Sequence, residues 1–126
     1  MPNSVMYDAE TGLIAIRIQS RIDKSVIRTL ASQVARIANE HSCFLVLNDA
    51  REATSGLSTV EIYEMPKMLL EILLESGIEI HKFKRAIVVA NDIDDFTFFE
   101  TVSQNRGQNV MAFRDIEEAK SWLFKK

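Results

Sequence analysis

Phe44-Leu45-Val46-Leu47-Asn48-Asp49 is the stretch on which the reading of this chain turns. Four consecutive apolar residues with no polar alternation suit a strand covered on both faces, the situation of a central strand in a parallel sheet. Asn48 and Asp49 read as its stop. The pattern returns as Ala86-Ile87-Val88-Val89-Ala90, again closed by an Asn-Asp pair, Asn91-Asp92. Both strands lie between helical patterns. Such alternation implies parallel pairing through right-handed crossovers.

Working outward from the first run, Ala50 to Gly56 reads as a loop. Ser58-Thr59-Val60-Glu61 has capping-box spacing and opens a helix that runs to about Ser76, with Gly77 as its C′ residue. Pro66 predicts a kink or a restart there. On the other side, Asp23 can cap a helix whose Val26, Ile27, Leu30, Val34, Ile37 and Ala38 recur at helical spacing up to Asn39-Glu40-His41. Before it, Leu13 to Gln19 alternates with period two, and Val5 to Asp8 forms a short strand across a Thr11-Gly12 turn, which predicts an antiparallel hairpin. Beyond Asn91-Asp92, Asp94 or Asp95 caps a helix carrying Phe96, Phe99 and Val102 and ended by Gly107. Asn109 to Phe113 is the last strand, and Asp115 caps the last helix. The expected fold is α/β: one domain over residues 1–126, element order ββαβαβαβα, around a mixed, mostly parallel five-stranded sheet.

Composition narrows the function classes. In 126 residues, 47% are hydrophobic and 26% charged, as in an ordinary globular domain able to bury a core without staples. A net charge of -3 lacks the basic field of a nucleic-acid binder. The single Cys43 admits no internal disulfide and sits in a buried-strand context, where it packs as a small hydrophobe. No run approaches a membrane span, and the N-terminal Met-Pro-Asn-Ser-Val lacks a secretory pattern, so a cytoplasmic location is expected.

The order of elements and several local patterns resemble the STAS-like superfamily, whose bacterial members include anti-sigma factor antagonists; the nearer resemblance is to the SpoIIAA-like group. It rests on Leu47-Asn48-Asp49-Ala50-Arg51, on Lys84-Arg85-Ala86-Ile87-Val88-Val89, on Arg106-Gly107 with Val110 and Phe113, and on Glu118-Ala119 with Trp122-Leu123. It covers essentially the whole chain. The resemblance implies a β-α superhelical domain that binds proteins or small ligands and does no chemistry. In regulatory STAS domains a serine just after the third strand is phosphorylated. Here Ala50 follows Asp49, and Ser55-Gly56-Leu57 comes out of register, so that switch does not carry over by position.

No nucleophile elbow, phosphate loop or dinucleotide fingerprint occurs. His41 and His81 stand near element boundaries and are expected in solvent. No catalytic residue, cofactor or metal is therefore expected. The best polar constellation is topological, because ligands of open α/β sheets bind beyond the carboxyl ends of parallel strands. If the two central strands are neighbours, Asp49 and Asp92 converge, with Asp94 close by, and could hold a hard cation, while Arg51 could take an anion. The plainer alternative has Asp94 or Asp95 capping a helix and Asp49 pairing with Arg51 or Arg85.

A second feature is apolar excess. In the helix after Pro66, Lys67, Glu71 and Glu75 form one narrow polar stripe, and Met68, Leu69 and Leu73 belong to a nearly all-round apolar surface. Phe98 and Phe99 diverge on the next helix in the same way. A neighbouring helix, a second copy of the chain or an apolar ligand could cover them. Two functions follow as expectations. One is a non-enzymatic interaction module, homodimeric and binding a protein partner, with the loop around Arg51 as its recognition edge. The alternative is a carrier or sensor of a small lipid-like ligand held between the second and third helices.

Overall fold

The alternation of Leu13–Ile18 buries Ile14, Ile16 and Ile18 on one face of a strand and turns Arg17 outward on the other. That phase propagates across the whole sheet of the computed structural model, which describes residues 3–125. The strands are β1 (Asn3–Asp8), β2 (Leu13–Ile18), β3 (Arg21–Ile22), β4 (Leu45–Ala50), β5 (Thr54–Ser55), β6 (Lys84–Val89) and β7 (Asn109–Phe113). The helices are α1 (Lys24–His41), α2 (Thr59–Glu75), α3 (Ile93–Asn105) and α4 (Ile116–Phe124), with a short 3-10 helix at Ile80–Lys82 before β6. The main sheet is five-stranded in the order β1-β2-β4-β6-β7. The β1–β2 hairpin is antiparallel and the remaining pairs are parallel.

Register decides which side chains share a face. Ile14, Val46, Arg85 and Val110 stand in one row across four strands, and Ile16, Asn48, Ile87 and Ala112 in the next. The larger core lies on this face, beneath α1, α2 and α3. The opposite face presents Leu13, Leu47, Ala86 and Val88 to Ala119 and Leu123 of α4. Lys84 anchors α4 there. Its Nζ donates to the carbonyls of Trp122 and Lys125 at the helix C-terminus, where a cation is favoured, and lies 4.6 Å from the Trp122 ring.

The caps follow the sequence with one exception. Asp23 accepts from the Val26 backbone N–H, Ser58 and Glu61 form a complete capping box, and Asp115 accepts from Glu117 and Glu118. Gly77 and Gly107 are C′ residues in the left-handed region, each inside a pair of bonds that closes the helix end: Ile78 N to Leu73 O at 2.9 Å, and Gln108 N to Ser103 O at 3.0 Å. The exception is α3. Neither Asp94 nor Asp95 caps it; both lie in its first turn, and the N-cap is Asp92, at φ 50°, whose side chain makes no cap bond. Its carboxylate is drawn off to the Ser55 backbone N–H at 2.8 Å.

Two other expectations are corrected. Asn48 and Asp49 do not stop β4, which continues through them to Ala50 because both edges of the strand stay paired and each polar side chain finds a place on its own face. The segment after it is not wholly loop: Thr54–Ser55 pairs in parallel with Arg21–Ile22 as a two-stranded ribbon, adding two short strands to the expected order. Of the kink or restart expected at Pro66, the restart does not occur: α2 is continuous from Thr59 to Glu75.

Candidate functional site

The loops at the carboxyl ends of β4 and β6 hold the polar residues singled out above, and there those residues stitch the chain together. Arg51 closes on Asp49 through one edge of its guanidinium, Nε to Oδ1 at 2.9 Å and Nη2 to Oδ2 at 2.8 Å. These bonds hold the Asp49 carboxyl below its usual range and raise the Arg51 guanidinium. Glu52, bound by Arg17 and Gln19, is likewise lowered. The Asn91 amide donates to the carbonyls of Arg51 and Ala53, and Asp92 takes the Ser55 N–H. The Asn-Asp pair after β6 thus pins the segment after β4. Asp94 is exposed on the first turn of α3. Among the described residues, no group of three or more His, Cys, Asp or Glu is placed to hold a metal ion.

The chemistry-bearing space lies instead inside the larger core. A cavity of about 140 Å³ sits between the sheet and α1, α2 and α3. Its floor is Ile16, Val46 and Ile87, its walls include Leu30 and Ala31 of α1, Met65, Leu69 and Leu73 of α2, and Phe96 and Phe99 of α3. The surface is overwhelmingly apolar, and four polar side chains border it: Asn48, Ser55, Arg85 and Asp95. Few polar groups in an apolar concavity is the usual make-up of a small-molecule site.

Arg85 is the unusual member. It follows the phase of Ile87 and Val89, so its side chain enters the helix-covered face. Burial alone pushes its guanidinium down to about 10, with no acidic partner to offset the desolvation. Nη2 donates to Gln108 Oε1 at 2.7 Å, and Gln108, itself buried, donates from Nε2 to Pro66 O at 2.9 Å. That relay orients the guanidinium and leaves Nε, buried, with no hydrogen-bond partner among the described residues. Asn48 Oδ1, on the neighbouring strand, is orphaned in the same way. Arg85 retains intermediate accessible surface despite this enclosure, because it borders the cavity.

Of the apolar residues singled out from the sequence, Leu69, Leu73 and Phe99 line this cavity. Met68 packs against the same core from outside the cavity wall, and Phe98 is half-buried away from both core clusters. Sequence reasoning did not place Asn48 and Arg85 in the site. The signal was present in the strand phase: a polar residue two positions from Val46, and a charged one two positions from Ile87, fall on the face the helices must cover.

Compared with known proteins, the chain matches no protein-family model, and no curated protein is similar to it in sequence.

Proposed function

We propose that this protein is a binding module, a carrier or sensor that holds a small, largely apolar ligand in the cavity beneath its sheet. The observation that carries the reading is the pairing of an apolar cavity with a charge that no carboxylate balances, the Arg85 guanidinium on its sheet wall. A close-packed interior rarely leaves either. Voids larger than a water molecule are few in a domain, and a charge taken out of water without a counter-charge is costly. A ligand would relieve both. The resemblance to the STAS-like superfamily fits a binding role, and the reading requires no reaction at the site. Native mass spectrometry of the full chain purified from its own cells tests it. A bound small molecule, lost when the cavity is filled by substitution, is the expected result. A chain at its bare mass under gentle ionisation, with no melting shift in the presence of small apolar compounds, would overturn it.

A second reading, self-association or a protein partner, has its own observation. Val60, Tyr63 and Leu74 are 65%, 54% and 52% exposed, and at helical spacing they fall on one side of α2. Sedimentation of the full chain decides the homodimer: a dimer dissociated by Tyr63→Glu supports it, and a monomer at micromolar concentration removes it. No helix among the described residues is long and apolar enough to cross a membrane.

A further inference from the structure

The proposed binding role leaves the chemistry of the ligand open, and Arg85 bears on it. A guanidinium stays charged at neutral pH even when its pKa is pushed down to about 10. Its charge is therefore inside the core, and none of the ion pairs among the described residues involves it. Asp95 borders the same cavity without closing on Arg85. Gln108 is neutral, so the bond it accepts orients the guanidinium without balancing it. The cavity is thus bordered by a fixed positive group without a counter-charge, set by a buried relay rather than by a mobile surface side chain.

We propose that the ligand is a compact monocarboxylate, with its apolar body among the Ile, Leu and Phe side chains and its carboxylate on the guanidinium of Arg85 where that group borders the cavity. The planar carboxylate suits the geometry of a guanidinium edge. A single negative charge balances the single buried positive one. A dianion such as phosphate would bring a second charge into an apolar space already bordered by Asp95, and burying an unpaired charge is costly. The volume sets the size. A cavity of roughly 150 Å³ lined by Leu, Ile and Phe takes a benzene-sized molecule, and this one has about 140 Å³. A long acyl chain exceeds this volume.

This inference rests on the ligand-binding reading above, and the test separates the two. The full chain is titrated calorimetrically at neutral pH with benzoate, with toluene as the uncharged analogue, and with laurate as the long-chain acid. The expected order is benzoate tighter than toluene by about tenfold or more, the worth of one charge-assisted hydrogen bond, with laurate weaker than benzoate. Arg85→Met should bring benzoate below toluene, because its carboxylate would then be buried unpaired, and leave toluene binding intact, which also shows that the variant is folded. Arg85→Lys, which keeps the charge and loses the planar fork, should fall between. Equal affinity for benzoate and toluene would refute the carboxylate and leave the apolar site standing. Laurate tighter than benzoate would refute the compact body. Binding of neither benzoate nor toluene would refute the ligand-binding reading itself. The comparison of the three compounds on the unaltered chain decides these points even if a variant fails to fold.

Discussion

Filling the cavity from α1 should stabilise the free protein and abolish its proposed function together. Ala31 borders the cavity from the buried face of α1 and is 8% exposed. At about 24 cal/mol per Å³, an empty space of 140 Å³ represents about 3 kcal/mol of forgone stability. Ala31→Leu adds three carbons. At about 0.8 kcal/mol per buried methylene, the ceiling is about 2.4 kcal/mol. Imperfect fit takes part of this back, since added atoms cost about 1–3 kcal/mol where packing is already complete. Leucine's helix propensity is close to alanine's, so the backbone contributes little. The expected gain is about 1 kcal/mol, read as a rise in urea midpoint at unchanged m-value, or roughly 3–5 °C in Tm. Binding of small apolar compounds should disappear in the same variant. A loss of 1 kcal/mol or more would refute the reasoning, because it would mean that the space beside Ala31 is already filled in solution.

Three further outcomes follow from the packing. A Cβ at Gly56 would stand 2.7 Å from Arg21 Nε and 2.8 Å from Ile22 O, so Gly56→Ala should pry β5 from β3 and cost about 1–3 kcal/mol in denaturant unfolding. For Asp49, the carboxyl is depressed by its bond to Arg51, so its contribution is complete above the unfolded value near 3.8 and is lost as pH falls through the lower folded value; Asp49→Asn should cost at most about 1 kcal/mol at pH 7, because the pair is half exposed, and nothing once the carboxyl is protonated at acid pH. Glu100 accepts from the Ala112 N–H at 2.6 Å and Gln104 donates to Val110 O at 2.8 Å, which occupies backbone groups on the free side of β7; Glu100→Ala with Gln104→Ala should expose that edge and raise concentration-dependent association by light scattering, with unchanged scattering as the contrary result.

The sequence carried the layered fold because its strongest signals are local. Continuous apolar runs marked β4 and β6, period two marked β2, and capping residues fixed the helix starts at Asp23, Ser58 and Asp115. What it hid depends on pairing between distant segments. The β3–β5 ribbon is two residues long on each side, too short for any periodicity, and is defined only by the register Arg21 with Thr54 and Ile22 with Ser55. Asp92 rather than Asp94 or Asp95 stands at the start of α3, and its carboxylate is bound to Ser55, thirty-seven positions away in the chain.

The site divides the same way. The Leu-rich helix advertised Leu69 and Leu73, and Phe99 was visible as an aromatic surplus, since helical spacing gives more apolar surface than a sheet can cover. Asn48, although quoted as the end of a strand, became part of the cavity only because β4 continued through it. Arg85 was legible as a basic residue before an apolar run, and its consequence depends on Gln108 and Pro66, which come from two other elements. The Asp49 and Asp92 carboxylates were the best polar constellation in the sequence, with local pairing and capping as the plainer alternative. Their bonds to Arg51 and Ser55 assign them to holding the loops.

The central claim, that the cavity beneath the sheet is a ligand site, is tested most directly by methyl-detected NMR of the full chain titrated with toluene. The account predicts saturable shifts concentrated on the Ile16, Val46, Leu69 and Ile87 methyls of the cavity wall, with Leu47, Val88 and Leu123 on the opposite face of the sheet unmoved. Shifts spread equally over both faces, or none at the cavity wall up to the solubility limit of toluene, would contradict it.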